Sequence, residues 1–152
     1  MSFTESSQKD AKNRIKKVMT FGTFDLFHPW HVYYLSEAEK LGDSLSIIIA
    51  RDARVRAIKG RAPHDSEDIR QSNVAHAFRD AEVILGDEQD IFAPLRAYQP
   101  DILVFGYDQR VPEEKIRELF PAIEMMRIGG FEPERWKSSI LRAAKEQSED
   151  TI

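Results

Sequence analysis

Five short apolar runs alternate along the chain with longer segments in which apolar residues recur every three or four positions. Short runs rich in Val, Ile, Leu and Phe are typical of strands that are buried on both faces. The run SLSIIIA is the clearest example, because β-branched residues dominate it. The pattern predicts five β-strands, at residues 18–21, 44–50, 81–85, 102–106 and 124–128.

The segments between these runs have the period of amphipathic helices. In the first of them Tyr34, Ala38 and Leu41 share one helix face. Asp65 or Ser66 is expected to cap the N-terminus of a later helix. Residues 51–65 are polar and are predicted to form a loop. Helices are predicted at residues 30–41, 66–78, 91–98 and 112–120, with a last helix from about residue 138.

Strands that alternate with helices form a parallel sheet that is covered on both faces. The sequence therefore predicts an α/β fold, a doubly wound five-stranded parallel sheet of the Rossmann-like type. The length of 152 residues suits a single domain. We expect that domain to span residues 15–146, between polar tails at 1–14 and 147–152.

Composition narrows the classes of function. A formal net charge of −4 argues against general nucleic-acid binding. The chain has no cysteine, which excludes disulfides, thiol nucleophiles and cysteine-based zinc sites and suits a reducing compartment. No apolar run approaches the roughly 18–20 residues of a membrane span. We therefore expect a cytoplasmic protein that acts on small molecules and has no nucleic-acid or membrane partner.

Glycines, hydroxyl groups and cations follow the predicted strands, and a parallel sheet brings those strand ends to one crevice. Backbone N–H groups at a helix start and the charges of Lys and Arg suit a polyphosphate. The residues concerned are Gly22, Thr23, Phe24 and Asp25 after the first strand, Lys59 and Arg61 after the second, Gly106, Tyr107 and Asp108 after the fourth, and Ser138 and Ser139 after the fifth.

Two histidines, His28 and His31, stand where the first strand leads into the first helix. If that helix begins near residue 29, both imidazoles lie close to its positive end, where they suit phosphate groups. Two other interpretations remain open from the residues alone. The histidines can be solvent-facing residues that cap a turn. They can also belong to a zinc site, although zinc needs three or four protein ligands and nothing in the sequence places His64 or His76 beside them.

The stretch GTFDLFHPWH resembles the signature of the cytidylyltransferase-like nucleotidyltransferases, in which GTFD is followed by His-x-Gly-His. The resemblance extends over about residues 17–144. The segments IIIARDARVRAIKGRAPHDSEDIR, QPDILVFGYDQ and RWKSS are similar to later segments of the family. The motifs ARD…KGR and GYDQ are most similar to those of the archaeal-type FAD synthase branch.

The resemblance implies a reaction between a nucleoside triphosphate and a phosphorylated acceptor, with release of pyrophosphate. The best match is ATP with FMN, giving FAD. A cytidylyltransferase that uses CTP and a polyol or amino-alcohol phosphate is the alternative. Mg²⁺ would accompany the triphosphate, with no metal ligand from the protein itself. Family members are often dimers, so a homodimer is the implied assembly.

The resemblance also implies roles for individual residues. His28 and His31 would hold the α- and β-phosphates, and Lys59 and Arg61 would contact phosphates of the nucleotide or the acceptor. These four are the implied catalytic residues. The implied nucleotide-binding residues are Gly22, Thr23, Phe24, Asp25, Arg70, Gly106, Tyr107, Asp108, Ser138 and Ser139.

Each of these side chains also has a plain structural interpretation. Lys59 and Arg61 can lie on a solvated basic loop. Arg70 can form a surface salt bridge with Glu67, and Asp25 can make a local turn through its side chain. For the remainder the structural alternatives are a turn aspartate at Asp108 and ordinary helix caps at Ser138 and Ser139.

Trp30 is a departure from the family pattern, which has glycine at this position. Glycine allows the backbone to approach a nucleotide closely, whereas an indole presents on the order of 200 Å² of surface. Three outcomes are open. The indole can turn away and leave the pocket intact, it can stack on the base and change nucleotide preference, or it can fill the site and leave a silent nucleotide-binding protein.

Overall fold

The computed structural model describes residues 14–107 and 109–129. The described part has five strands, β1 (Lys17–Gly22), β2 (Ser44–Ile49), β3 (Glu82–Leu85), β4 (Ile102–Gly106) and β5 (Glu124–Ile128). It has five helices, α1 (Pro29–Glu39), α2 (Asp52–Lys59), α3 (Glu67–Ala77), α4 (Ala93–Tyr98) and α5 (Glu113–Leu119). None of these helices is long and apolar enough to cross a membrane.

The five strands form one sheet in the order β3-β2-β1-β4-β5, and every neighbouring pair is parallel. The chain moves outward from β1 to β3 on one side of the sheet and from β4 to β5 on the other. The strand order therefore reverses between β1 and β4. This topology confirms the predicted doubly wound α/β fold, and it places the expected ligand crevice above the carboxyl ends of β1 and β4.

Helices cover both faces of the sheet. On one face α1 and α3 contribute Leu35 and Val74 to an apolar cluster that includes Ile47 and Ile49 of β2. On the other face α4 and α5 pack their apolar residues against Ile48 and its neighbours. Successive residues of β2 thus serve opposite clusters, as strand geometry requires. Burial of each such side chain stabilises the fold by about 1.5–3 kcal/mol. A shift of β2 by one residue would expose these side chains, so their burial fixes the register of the strand.

Residues 51–65, predicted to form a polar loop, contain the helix α2. The prediction was wrong because half of the residues of α2 are charged and only Val55 is buried, so the polar composition of the segment hid the helix. The ends of α2 carry the helix signals instead. Asp52 lies in the first turn, where a carboxylate favours the dipole, and Gly60 ends the helix in the left-handed conformation at φ 77°.

The predicted N-terminal cap of α3 is present. Of the two candidates Ser66 provides it, because its hydroxyl accepts a hydrogen bond from the Ile69 backbone N–H at 3.4 Å. The last predicted helix, from about residue 138, lies outside the described residues. So do the two predicted tails, apart from Arg14.

Candidate active site

The loop between β1 and α1 has an unusual backbone. Phe24 and Leu26 adopt the left-handed conformation, with φ of 54° and 50°, at a cost of about 1–2 kcal/mol for each non-glycine residue. The Phe24 ring folds back over the end of β1, where a Cβ on Gly22 would lie 2.7 Å from Phe24 Cε2. Only glycine therefore fits at position 22. Backbone strain of this kind is concentrated at functional sites.

The two histidines cap α1 together. His28 Nδ1 accepts a hydrogen bond from the Trp30 backbone N–H at 3.3 Å, and His31 Nδ1 accepts one from the His28 backbone N–H at 3.3 Å. These bonds form a reciprocal capping box at the start of the helix. The two rings stack with their centroids 4.0 Å apart. The structure thus brings the predicted pair of imidazoles together at the positive end of α1.

The capping bonds determine which ring nitrogen is a donor. Since both Nδ1 atoms accept, each neutral ring carries its proton on Nε2. Burial lowers the pKa of His28, and burial together with the neighbouring His28 lowers the pKa of His31 well below its usual value. Both rings are therefore neutral at pH 7. His28 Nε2 is buried and has no hydrogen-bond partner among the described residues, an arrangement that costs free energy unless a ligand supplies an acceptor.

Aromatic rings surround the imidazole of His31. Phe24 meets it edge-on at 5.4 Å, and Phe27 stacks against it at 5.6 Å between ring centroids. His31 is 5% exposed. The structure therefore does not support the interpretation of two solvent-facing histidines. Capping accounts for the Nδ1 atoms but leaves the Nε2 donor of His28 unexplained.

Asp25 ties two distant segments together. Its Oδ2 accepts a hydrogen bond from the His64 backbone N–H at 2.7 Å, and its Oδ1 accepts one from the Asp65 backbone N–H at 2.8 Å. These partners lie 39 and 40 residues away in sequence, so the bonds are not the local turn that was one interpretation of Asp25. The carboxylate instead fixes the segment before α3 against the loop after β1.

Arg70 reinforces the same connection from inside the protein. Its side chain is fully buried, and its guanidinium donates to the Thr23 carbonyl at 2.8 Å, the Asp65 carbonyl at 3.0 Å and the Asp52 carboxylate at 2.6 Å. The alternative interpretation of Arg70, as one partner of a surface salt bridge with Glu67, is therefore wrong. The geometry favours Arg70 as a residue that positions the loop, and direct contact with a nucleotide stays a prediction.

Lys59 and Arg61 reach the loop after β1 through a shared cavity. This cavity has a volume of about 270 Å³, and Thr23, Asp25, Lys59 and Arg61 are among the residues that line it. Lys59 is the last residue of α2, and Arg61 follows the glycine that ends the helix. The structure thus brings four of the predicted site residues together on the β2 side of the crevice.

Gln109 and Arg127 connect the carboxyl ends of β1, β4 and β5; the sequence analysis included Gln109 only within the segment GYDQ and did not single out Arg127. The Gln109 amide accepts from the Gly106 backbone N–H at 3.1 Å and donates to the Phe21 carbonyl at 3.1 Å, which links β4 to β1. Arg127 donates to the Gly106 carbonyl at 2.8 Å and to the Gln109 carbonyl at 2.9 Å. Their only sequence signal is a polar side chain beside a strand end.

The indole of Trp30 turns away from the imidazoles. It is 4% exposed and packs near Tyr33, Tyr34 and Tyr107. The indole therefore does not lie over the imidazoles, and which of the three outcomes considered for Trp30 applies to the base stays a prediction. The predicted residue Gly106 lies beneath the indole, whereas the predicted residues Asp108, Ser138 and Ser139 lie outside the described residues.

Comparisons with known proteins agree with this geometry. The cytidylyltransferase-like family model matches residues 19–144. An FAD synthase from Ferroglobus placidus is 44% identical over 105 residues, which are 68% of this chain and 67% of that protein. An FAD synthase from Methanolacinia petrolearia is 36% identical over 148 residues, which are 90% of this chain and 99% of that protein.

A solved structure shares this fold. The lipopolysaccharide core biosynthesis protein from Thermoplasma volcanium GSS1 superposes with a TM-score of 0.72 at 31% identity, over 78% of this chain and 100% of that one. The family match covers the GTFD loop, the paired histidines and the cationic cavity. The chain therefore belongs to the cytidylyltransferase-like family, on the FAD synthase branch, and it is a nucleotidyltransferase.

Proposed function

We propose that this nucleotidyltransferase transfers the adenylyl group of ATP to the phosphate of FMN, giving FAD and pyrophosphate. Archaeal relatives named FAD synthase support the choice of substrates, because one of them matches nearly the whole chain. The observation that carries the proposal is the His28 imidazole, whose buried Nε2 donor has no partner among the described residues. That donor stands at a helix start, where phosphate oxygens bind well.

The reaction requires that the two substrates are aligned and that the charge on their phosphate groups is neutralised. An oxygen of the FMN phosphate attacks the α-phosphorus of ATP and forms a new P–O bond, while the bond from that phosphorus to the bridging oxygen of pyrophosphate breaks. Charge spreads over the phosphoryl oxygens during the transfer. We expect the Nε2–H groups of His28 and His31 to donate to oxygens of the α- and β-phosphates. Their rings are already fixed by the capping bonds, so they need no reorganisation.

The acceptor requires cations of its own, because two phosphorylated reactants repel each other. Lys59 and Arg61 supply positive charge in the cavity on the β2 side. Asp25 and Arg70 are assigned a different task in this proposal, since their polar atoms are engaged in bonds within the protein. They hold the cavity wall in position while the cations contact the FMN phosphate.

Mg²⁺ accompanies ATP in this proposal and neutralises phosphate charge. In the described ranges one cluster has ligand atoms close enough for a metal, namely Asp25, His64 and Asp65, within 4.8 Å of one another. Both oxygens of Asp25 already accept backbone N–H groups, and His64 Nδ1 is bonded to the Asp65 carboxylate. These residues do not fit an open metal site, so the phosphates are expected to hold the ion and no step is assigned to a protein-bound metal.

A matched pair of substitutions tests the role of His28. His28→Asn keeps a side-chain oxygen that can cap α1 but removes the Nε2 donor, whereas His28→Gln places an amide N–H near the position of Nε2. We expect His28→Asn to lower kcat for pyrophosphate release by about 10²- to 10³-fold, the scale for the loss of one preorganised donor. His28→Gln should recover part of the loss. Equal rates for the wild type and His28→Asn would refute the phosphate role.

The acceptor and the base are tested with the unmodified protein. Pyrophosphate release is measured with ATP plus FMN and with CTP plus glycerol 3-phosphate, and FAD is detected by its absorbance after chromatography. We expect release only in the first mixture. Release only in the second would establish a cytidylyltransferase instead. Binding of ATP without release in either mixture would establish a silent nucleotide-binding protein.

A further inference from the structure

Trp30 lies between the two histidines in sequence, but its indole packs against a different set of rings from theirs. It is the second residue of α1. Its indole stacks against Tyr33 at 5.7 Å and meets the Tyr107 ring edge-on at 5.3 Å between centroids. The neighbours of His31 are instead Phe24 and Phe27. The first turn of α1 therefore directs its imidazoles toward the loop after β1 and its indole toward the end of β4.

The indole covers the carboxyl end of β4. Its Cζ2 lies 3.8 Å from the position that a Cβ on Gly106 would occupy, which is ordinary van der Waals contact. Two hydroxyl groups hold this side of α1 to the sheet, since Tyr34 donates to the Val104 carbonyl at 2.8 Å and Tyr33 donates to the Gly129 carbonyl at 3.0 Å. The indole is thus confined between α1 and the ends of β4 and β5.

The two sides of the α1 N-terminus differ in chemistry. On the β2 side lies the cavity with Lys59 and Arg61, which suits a phosphorylated acceptor. On the β4 side lie the buried indole and the ring of Tyr107, which is 48% exposed. A triphosphate held at His28 between these sides therefore directs its base toward β4, because the cationic side is taken by the acceptor phosphate.

We propose, on the basis of the function proposed above, that Trp30 is a specificity-determining residue of this enzyme. Its indole closes the inner part of the crevice between α1 and β4, so the base cannot enter toward Gly106. The base stacks instead on the exposed ring of Tyr107, which packs against the indole in a T-shaped arrangement. A glycine at position 30 would leave the volume of the indole open to the base.

This arrangement changes how the base is recognised. An aromatic ring recognises the face of a base rather than its hydrogen-bonding edge, and such stacking tolerates different bases because each has a π-face. Ring area then becomes the basis of selection. We expect ATP and GTP to bind with similar affinity and CTP, with its single ring, to bind more weakly.

Titration calorimetry with the α,β-methylene analogues of ATP, GTP and CTP, with FMN present at saturation, tests the stacking surface without turnover. Loss of a base–aromatic stack raises Kd about 5- to 150-fold, so Tyr107→Leu should weaken ATP and GTP by at least fivefold and reduce their advantage over CTP. Tyr107→Phe keeps the ring and should retain most of the affinity that Tyr107→Leu loses. Unchanged affinity in Tyr107→Leu overturns the inference but leaves the proposed function standing, whereas no heat with any triphosphate overturns both.

Trp30 is tested in two further ways. Trp30→Gly opens the crevice, and we expect the ATP:GTP:CTP affinity ratios to shift by about tenfold or more, whereas Trp30→Phe should keep the wild-type order. A second measurement leaves Trp30 in place and therefore does not depend on a substitution of this buried residue. In a Trp136→Phe background the remaining indole is Trp30, and acrylamide should quench it equally little with and without saturating ATP. Exposure of the indole by ATP, or unchanged ratios in a folded Trp30→Gly protein, overturns the inference.

Discussion

Asp25→Ala is expected to detach the segment before α3 from the loop after β1. The substitution removes both acceptors of the His64 and Asp65 backbone N–H groups. Hydrogen bonds to charged groups contribute about 1.5–3 kcal/mol each, and water can reach this segment once it moves, so we take the lower end. The loss is then about 3 kcal/mol, which for a chain of this size lowers Tm by about 6–12 °C.

The loss should also be visible at the atoms concerned. Amide hydrogen exchange at His64 and Asp65 should accelerate in Asp25→Ala, because their N–H groups lose their acceptors. Turnover of ATP and FMN should fall by about 10²-fold, since Arg61 and its cavity wall lose their alignment. Thermal unfolding, exchange measured by NMR and pyrophosphate release provide the three readouts.

Asp87→Ala is a matched control. The carboxylate of Asp87 also accepts two backbone N–H groups, from Gln89 and Asp90, but within its own turn and away from the cavity. Its replacement should leave exchange at Asp65 unchanged. If Asp25→Ala alters neither that exchange rate nor Tm, then Asp25 does not hold the segment and the reasoning fails.

Three further predictions concern stability. The pKa of His31 is lowered in the fold, so below about pH 6.5 the unfolded chain binds more protons than the folded chain. Urea unfolding should therefore show that the free energy of unfolding decreases as pH falls below that value, by at most about 1.4 kcal/mol per pH unit for this ring. The half-buried His28 should add a smaller effect of the same sign. Arg70→Met should cost about 3–5 kcal/mol, since it leaves a partly buried carboxylate unpaired; an unchanged urea midpoint would contradict this. Gly60→Ala should cost about 1–2 kcal/mol because of its φ of 77°, whereas Gly129→Ala, with equal space and no positive φ, should be neutral in the same assay.

The sheet was predictable because each strand is a run of buried apolar residues, and such runs are visible without the structure. The helix α2 was not, because it is short, half of its residues are charged and only Val55 is buried. Asp52 and Gly60 were the available signals. They are short and local, so the polar composition of the segment outweighed them.

The candidate site was predictable in part. His28 and His31 were recognised because a helix start places them side by side, and local geometry suffices for that inference. The partners of Asp25 and Arg70 lie in distant segments, and only the folded chain brings them together. The direction of the Trp30 indole likewise depends on Tyr107, 77 positions further along the chain. The homodimer and the roles of individual site residues stay predictions.

Phe24 and Leu26 both adopt the left-handed conformation, but they differ in how easily they can be replaced. Leu26 can be changed to relieve backbone strain, whereas Phe24 cannot. Leu26 is 45% exposed, although it also lines the cavity that contains Lys59 and Arg61. A residue that tolerates a positive φ, such as asparagine, would therefore relieve its strain without disturbing the apolar core. Phe24 has no such freedom, because its ring lies against His31 and Tyr34. Thermostabilisation of this enzyme would therefore begin at position 26, one residue beyond the aspartate that anchors the cavity.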